Sequence, residues 1–322
     1  MRQFRHNLSM SHRDHLPQLD GSLFVTDGGI ETSLIFHDGL DLPLFAAFTL
    51  LQDEEGTQAV RRYFEPYAEI AVAKEAGLVL ESPTWRASPR WAAELGISES
   101  ELDDLNRRAI GLMEEIRERY ESAATPVVIS GCIGPQDDGY NPQALMSADE
   151  AKAYHSTQIA TFADTAADVV TAVTMTYADE AIGVTRAATE AGIPAVINFT
   201  VETDGRLPNE EPLGDAIAAV VAATDDGPAY FGINCAHPTH FDEVLESAGE
   251  WRKRIRSLRA NASTKSHAEL DEATELDAGD PDDLGARYAR LKASLPNLNV
   301  VGGCCGTDQR HVGAVAEAML RS

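Results

Sequence analysis

The feature that most constrains the fold is a regular alternation of short apolar runs with longer amphipathic segments. The runs are rich in valine and isoleucine and have the length of buried strands. We predict eight strands, in the runs SLFVTDGG from Ser22, GLVLESPT from Gly77, PVVISGCIG from Pro126, DVVTAVTMT from Asp168, PAVINFT from Pro194, AYFGINC from Ala229, RIRSLRANA from Arg254 and LNVVGGCC from Leu298.

The segments between the runs predict helices. GTQAVRRYFEPYAEIAVAKEAG, SADEAKAYHSTQIATFADTAA and ADEAIGVTRAATEAG have apolar residues spaced three and four apart, and the first and third end at a glycine. No linker rich in Pro, Gly or Ser interrupts the alternation. We therefore predict one α/β domain, a (β/α)8 TIM barrel over 22–322, after a polar N-terminal extension over 1–21. A doubly wound open sheet is the alternative, but TDGGIETS lacks the glycine spacing of a dinucleotide loop.

Composition limits the partners. The chain has 322 residues, 43% of them hydrophobic, which is enough to bury a sizeable core. Its formal net charge of -26 argues against nucleic acid and anionic membranes as partners. The acidic residues are spread along the chain and lysine is scarce beside arginine, a pattern that suits a strongly solvated surface in concentrated salt.

Location and cysteine use point to a reducing compartment. No apolar stretch approaches the roughly 18 residues of a membrane span, and the start of the chain has no apolar core like that of a signal peptide. We expect a cytoplasmic protein, with Met10 as an alternative start to Met1. Four cysteines in such a compartment indicate metal binding or catalysis more than a disulfide framework. No segment singles out an interface, so the sequence does not decide whether the protein forms a homo-oligomer.

Three cysteines are predicted to meet at one end of the barrel. Cys235 ends the sixth run, and Cys304 and Cys305 end the eighth. The adjacent pair can converge only if the chain turns sharply, which the flanking glycines permit. Three thiolates with one open tetrahedral position describe a catalytic zinc site, and inert buried thiols are the alternative. Cys132, after the third run, is either a fourth ligand or a buried structural cysteine.

Several motifs together resemble a known family. TDGGIETSL, SGCIGP, INFTVETDGRL, GINCAHP and VVGGCCGT resemble segments of the zinc-dependent homocysteine S-methyltransferases, in the family's order from Leu23 to the C-terminus. The group includes betaine-homocysteine and S-methylmethionine-dependent enzymes. The resemblance implies a (β/α)8 barrel, Cys235, Cys304 and Cys305 as catalytic zinc (Zn2+) ligands, and Asp27 as a substrate-binding acid.

The implied reaction moves a methyl group from a sulfonium or quaternary ammonium donor to a thiol, with homocysteine giving methionine. A zinc-bound thiol loses its proton and stays nucleophilic, so no general base is required and the protein's task is to orient two substrates. No cobalamin or folate module is visible, which favours a diffusing donor: S-methylmethionine, S-adenosylmethionine or betaine. The alternatives are the same scaffold with a changed acceptor or donor, and a non-catalytic barrel that binds zinc or thiols.

Two positions depart from the family pattern. The fourth strand of the family usually ends in a glutamate that holds the amino group of homocysteine, followed by a threonine. Here Val173 aligns with that glutamate, and Thr174 aligns with the threonine and is a candidate substrate contact. In DGGIET, Glu31 stands where the family commonly has glycine. Glu31 is either a relocated partner for the ammonium or a first-turn acid favoured by the helix dipole.

The remaining candidates each have two interpretations. Asp27 binds a substrate ammonium or caps the following helix. Asn234 orients the cysteine loop or is simply held by backbone hydrogen bonds. Trp85 and Trp91 form a sulfonium pocket or are ordinary packing residues. His237 and His240 are expected to be surface or helix-start residues more than metal ligands. Gly28 and Gly29 are expected to be turn residues more than direct substrate contacts.

Overall fold

The predicted barrel is confirmed. The structure is a computed structural model that describes residues 11–140, 142–246 and 249–322. Its strands pair in parallel, each with its neighbour in the chain, and the last closes on the first. The strands are β1 (Phe24–Val25), β2 (Gly77–Glu81), β3 (Val127–Ile133), β4 (Val169–Met175), β5 (Ala195–Phe199), β6 (Tyr230–Asn234), β7 (Ile255–Ala260) and β8 (Val300–Gly303).

Helices surround the barrel, and each predicted helical segment forms one. Local signals set their ends: Ser147 and Glu150 form a capping box at the start of one helix, and Gly192, with φ of 70°, ends the next. The helices are α1 (Ile30–Phe36), α2 (Glu54–Ala73), α3 (Pro89–Glu94), α4 (Glu99–Tyr120), α5 (Ala148–Ala163), α6 (Ala178–Ala191), α7 (Leu213–Ala223), α8 (Asp242–Glu246), α9 (His267–Asp271), α10 (Pro281–Leu291) and α11 (Gln309–Arg321).

The strands are buried almost throughout because helices cover their outer face and side chains fill the barrel interior. One large apolar cluster fills the space between the strands and the surrounding helices. Within the described ranges, no helix combines the length and apolarity that crossing a membrane requires.

The segment 11–20 lies across the amino-terminal end of the barrel. Leu16 is 3% exposed and packs in a second apolar cluster with residues near the start of seven strands, including Phe24, Val169 and Val300. Arg13 donates hydrogen bonds to the carbonyls of residues 163, 165 and 167. The part of the expected polar extension that the structure describes is therefore packed on the barrel. Residues 1–10, including Met1 and Met10, lie outside the described residues.

Asp168 also holds the segment 11–20 in place. Its carboxylate is fully buried, pairs with Arg117 of α4 at 2.8 Å, and accepts the backbone N–H of His12 at 2.7 Å and of Ile129 at 2.9 Å. The hydroxyl of Ser11 donates to the same carboxylate. A buried carboxylate with several donors holds its neighbours firmly, because leaving any donor unpaired is unfavourable.

We expect Leu16→Ala to lower the free energy of unfolding by about 2–5 kcal/mol, because it leaves a cavity under the barrel. Leu19→Ala is the matched control, since Leu19 is 36% exposed in the same segment, and should change stability by less than about 0.5 kcal/mol. Urea unfolding followed by circular dichroism measures both. Equal losses in the two variants would show that Leu16 does not close the barrel.

Candidate thiolate site

The carboxyl ends of the strands surround a cavity of about 530 Å³. Many of the candidates named from the sequence line this cavity, whereas His237, His240, Gly28 and Gly29 do not. The lining candidates are Asp27, Glu31, Trp85, Trp91, Cys132, Thr174, Asn234, Cys235, Cys304 and Cys305. The barrel brings them together because parallel strands direct all their carboxyl ends to one face.

The three predicted cysteines meet at this face. Their sulfur atoms lie within 4.8 Å of one another, and they are the one group of potential metal ligands found in the described part of the chain. The pair Cys304 and Cys305 is accommodated by a turn at Gly306, whose φ is 78°. Cys235 itself has a positive φ of 54°, an uncommon conformation for a residue with a side chain, at the point where its strand ends.

Two of the clustered cysteines are bonded to each other. Cys235 and Cys304 are joined by a disulfide, whereas Cys305 and Cys132 are free. The sequence favoured metal binding or catalysis over a disulfide framework, and one bond within the cluster does not make such a framework. Two thiols that lie close enough to bind one ion are also close enough to be oxidised to a disulfide.

The β1 loop packs directly against the cysteine loop. A Cβ on Gly29 would lie 2.5 Å from the carbonyl oxygen of Cys304, and one on Gly28 would lie 2.7 Å from that of Thr307. Only glycine permits this approach. The geometry favours the interpretation of both glycines as backbone residues.

Asn234 and Thr174 hold each other across the barrel. The Asn234 side-chain oxygen accepts the backbone N–H of Thr174 at 2.7 Å, and its Nδ2 donates to the Thr174 hydroxyl at 2.9 Å. The same Nδ2 lies 3.9 Å from the sulfur of Cys304. Asn234 thus contacts the cysteine cluster as well as the end of β4.

Asp27 is engaged by an arginine that we did not single out from the sequence. Its carboxylate lies 2.6 Å from Nη2 of Arg259 and accepts the hydroxyl of Tyr63 at 3.0 Å. Glu81, at the end of β2, lies 3.9 Å from Nη1 of the same arginine. Although burial opposes it, these two carboxylates raise the pKa of Arg259, which therefore stays charged. The N-cap of α1 is Gly29, so the helix-cap interpretation of Asp27 is not supported.

Glu31 is another carboxylate that lines this cavity. It is half-buried in the first turn of α1, and no side chain among the described residues donates a hydrogen bond to it. Burial is the largest influence on it and raises the pKa of its carboxyl to about 7. Val173 lines the same cavity, so the position where the family has a glutamate does face this space.

Tyr140 and His267 are two further residues that the sequence analysis missed. The hydroxyl of Tyr140 lies 3.3 Å from the sulfur of Cys305, and its ring stacks on His267 with centroids 4.0 Å apart. His267 contacts the carbonyl of Cys235 at 2.7 Å and the carboxylate of Glu202 at 2.9 Å. Tyr140 comes from the loop after β3, and His267 begins the short helix α9 after β7, so no periodicity marks either residue as important.

The tryptophans surround a cation of the protein itself. The guanidinium carbon of Arg86 lies 3.5 Å from the ring centre of Trp91 and 4.4 Å from that of Trp85. Arg86 thus occupies the position over these rings where a sulfonium ion would bind. This favours the interpretation of Trp85 and Trp91 as packing residues, which pack against Arg86.

The other candidate ligands lie apart from the sulfur cluster. Cys132 is buried in β3 and lines the cavity, but it is not a member of the cluster. His240 contacts the carbonyl of Thr264, and His237 pairs with Thr239. Burial lowers the pKa of His237 to about 4, so this imidazole is neutral near pH 7. His237 caps the start of a short helical turn and His240 ends it, so the helix-start interpretation fits His237 only. Both side chains are buried, so neither histidine is a surface residue.

The donor set matches a soft or borderline metal ion. Three sulfur donors from two strand ends leave room for one more ligand, which is the arrangement of catalytic rather than structural zinc sites. Burial raises the pKa of the Cys305 thiol to about 11, so without a bound cation this thiol stays protonated at neutral pH.

Two curated proteins are similar to this chain in sequence. Methionine synthase of Mycobacterium leprae is 34% identical over 144 residues, which are 44% of this chain but only 11% of that protein. Homocysteine S-methyltransferase 4 of Zea mays is 23% identical over 320 residues, covering 93% of this chain and 90% of that protein.

Solved structures show the same fold. The homocysteine methyltransferase MmuM from Escherichia coli has a TM-score of 0.71 with this chain at 19% identity in its oxidized form, covering 93% of this chain and 96% of MmuM. A metallated form of MmuM gives the same score.

The homocysteine S-methyltransferase family matches residues 24–319, which is nearly the whole described chain. This match confirms the resemblance that the motifs indicated and the methyltransferase class expected from it. The chain belongs to the homocysteine S-methyltransferase family.

Proposed function

We propose that this protein is a zinc-dependent S-methyltransferase that moves a methyl group from a sulfonium or quaternary ammonium donor to the thiol of homocysteine, giving methionine. The observation that carries the proposal is the convergence of the sulfur atoms of Cys235, Cys304 and Cys305 within 4.8 Å. The family match and the cavity that these sulfurs line support it.

The three cysteines would hold the ion as thiolates, once the bond between Cys235 and Cys304 has been reduced. Bound there, zinc supplies the positive charge that keeps a substrate thiol deprotonated near neutral pH. Asn234 steadies Cys304, and the hydroxyl of Tyr140 steadies Cys305. Such outer contacts orient the ligands of a metal and tune their basicity. The chain's own task is then to orient acceptor and donor for an in-line transfer.

Glu31 is the residue that we assign to the ammonium group of homocysteine. Its carboxylate has no ion-pair partner within the described ranges, whereas Asp27 is already compensated by Arg259. An arriving ammonium favours the ionised form of a carboxyl whose pKa is near 7. Asp27 and Thr174 remain candidate contacts, since both line the cavity.

A changed acceptor is the second candidate function, and Val173 is the observation that favours it. A valine in the cavity wall offers no charge to an ammonium group. Compared with homocysteine, a thiol without an amino group would therefore lose less binding free energy here than in a relative with glutamate at this position. A non-catalytic zinc or thiol barrel is the remaining alternative. To distinguish these three functions, the reduced, zinc-loaded protein is incubated with one acceptor, homocysteine or mercaptobutyrate, and one donor, S-methylmethionine, S-adenosylmethionine or betaine. Mass spectrometry then detects any methylated product.

We expect the reduced protein to bind about one zinc per chain, and Cys235→Ala or Cys304→Ala to abolish both metal and activity while the barrel stays folded. Thiol oxidation that closes the bond between Cys235 and Cys304 should likewise prevent zinc uptake, and a reductant should restore it. Inductively coupled plasma mass spectrometry gives the zinc content, and circular dichroism verifies folding.

Cys132→Ala is the matched control for zinc, because Cys132 is a buried thiol of the same cavity outside the sulfur cluster. It should retain full occupancy. Full zinc occupancy in the double variant Cys304→Ala, Cys305→Ala would refute the proposed ligand set.

We expect Glu31→Gln to raise the KM for homocysteine by about 10-fold or more, since hydrogen bonds to charged groups contribute roughly 1.5–3 kcal/mol. Zinc content should be normal, and the KM for mercaptobutyrate, which lacks the amino group, should change little. Adding Val173→Glu should partly restore the homocysteine KM. Unchanged homocysteine kinetics in Glu31→Gln would mean that Glu31 does not bind the ammonium.

A further inference from the structure

Arg86 is a buried cation whose hydrogen bonds are incomplete. It follows β2 in the chain and is 8% exposed, and its Nε and Nη1 have no hydrogen-bond partner within the described ranges. Its Nη2 forms an ion pair with Asp138 at 3.7 Å, so the guanidinium is paired at one nitrogen only. Burying an ionised group without full pairing is unfavourable, so a site of this kind is completed by an anion.

The neighbouring rings fix the orientation of this guanidinium. Trp91 and Trp85 lie 3.5 Å and 4.4 Å from its carbon atom, measured to the ring centres. Contacts of a guanidinium with aromatic faces leave its in-plane N–H groups free for other partners. Such a cation can form a charge-assisted hydrogen bond to a carboxylate that enters the cavity.

Arg86 also lines the cavity that holds the thiolates, and Arg259 is the other cation among the residues described there. Arg259 is already committed to Asp27, to Glu81 and to the carbonyl of Gly303. Arg86 has one ion-pair partner, Asp138, so it is the cation of this cavity whose charge is less fully compensated. A substrate anion is therefore attracted to Arg86 more than to Arg259.

Arg86 and Glu31 lie close enough to influence each other electrostatically, yet no ion pair joins them in the described part of the chain. A cation and a carboxylate without an ion-pair partner that line one cavity match the opposite charges of an α-amino acid. The same cavity is lined by the three cysteines.

We propose that Arg86 binds the carboxylate of an amino-acid substrate whose ammonium group is bound by Glu31. The inference rests on the proposed function, because it assigns the headgroup of the substrate whose sulfur the cysteine cluster receives. Because Glu31 and Arg86 share a cavity with the cysteine cluster, we take the acceptor thiol as the source of this carboxylate. A methyl donor such as S-methylmethionine carries the same headgroup and is the other source.

The test compares wild type with Arg86→Gln, both reduced and loaded with zinc. Calorimetry measures binding of homocysteine and of homocysteamine, which is homocysteine without its carboxylate, and steady-state kinetics gives KM for each acceptor and for the donors S-methylmethionine and trimethylsulfonium. Arg90→Gln is the matched control, because Arg90 also lies over Trp91 but pairs with Asp137 and Glu94. Homocysteamine also serves as the folding control, since a misfolded variant would lose both thiols.

We expect Arg86→Gln to weaken homocysteine binding by about 10- to 100-fold and homocysteamine binding by less than about 3-fold, with Arg90→Gln near wild type. A rise in KM confined to S-methylmethionine, with the KM for trimethylsulfonium unchanged, would support the same subsite with the donor as the source of the carboxylate. Equal effects on ligands with and without the carboxylate, or no effect, would overturn the proposal. If carboxylate-dependent binding is lost in Arg86→Gln but wild type methylates no thiol, the subsite stands and the proposed function fails.

Discussion

The open end of this barrel depends on one buried ion pair, between Asp27 after β1 and Arg259 in β7. Arg259 also donates to the carbonyl of Gly303 at 3.1 Å, so a single side chain joins β7 to the loop of β1 and the end of β8. A buried pair of this kind persists only when further hydrogen bonds complete it, as Tyr63 and Gly303 do here. Cys304 follows Gly303 directly, so its position relative to the β1 loop rests on this pair.

Pattern and periodicity were sufficient for the fold and for the cysteine cluster. The eight apolar runs gave the strands because their length and valine content leave few alternatives, and cysteines that end two runs of a parallel barrel must share a face. The partners of Asp27 could not be predicted in this way. Arg259 lies 232 positions away in the chain, and only the closed barrel shows that the two side chains meet.

Contacts made by side chains outside the periodic segments were missed for a related reason. The segment 11–20 is polar and lacks a repeat, yet one leucine and a set of hydrogen bonds attach it to the barrel. Tyr140 and Arg86 lie in βα loops, where the same sequence is compatible with many conformations. The disulfide between Cys235 and Cys304 depends on oxidation state, which residue spacing does not encode.

The two tryptophans around Arg86 have a consequence for spectroscopy. The chain contains three tryptophans, and two of them, Trp85 and Trp91, line the cavity on either side of one guanidinium. The emission of an indole responds to the charge and the water near its ring, and an anion that neutralises Arg86 would change both. The intrinsic fluorescence of the protein is therefore a built-in reporter of what enters the cavity, which requires neither a label nor turnover.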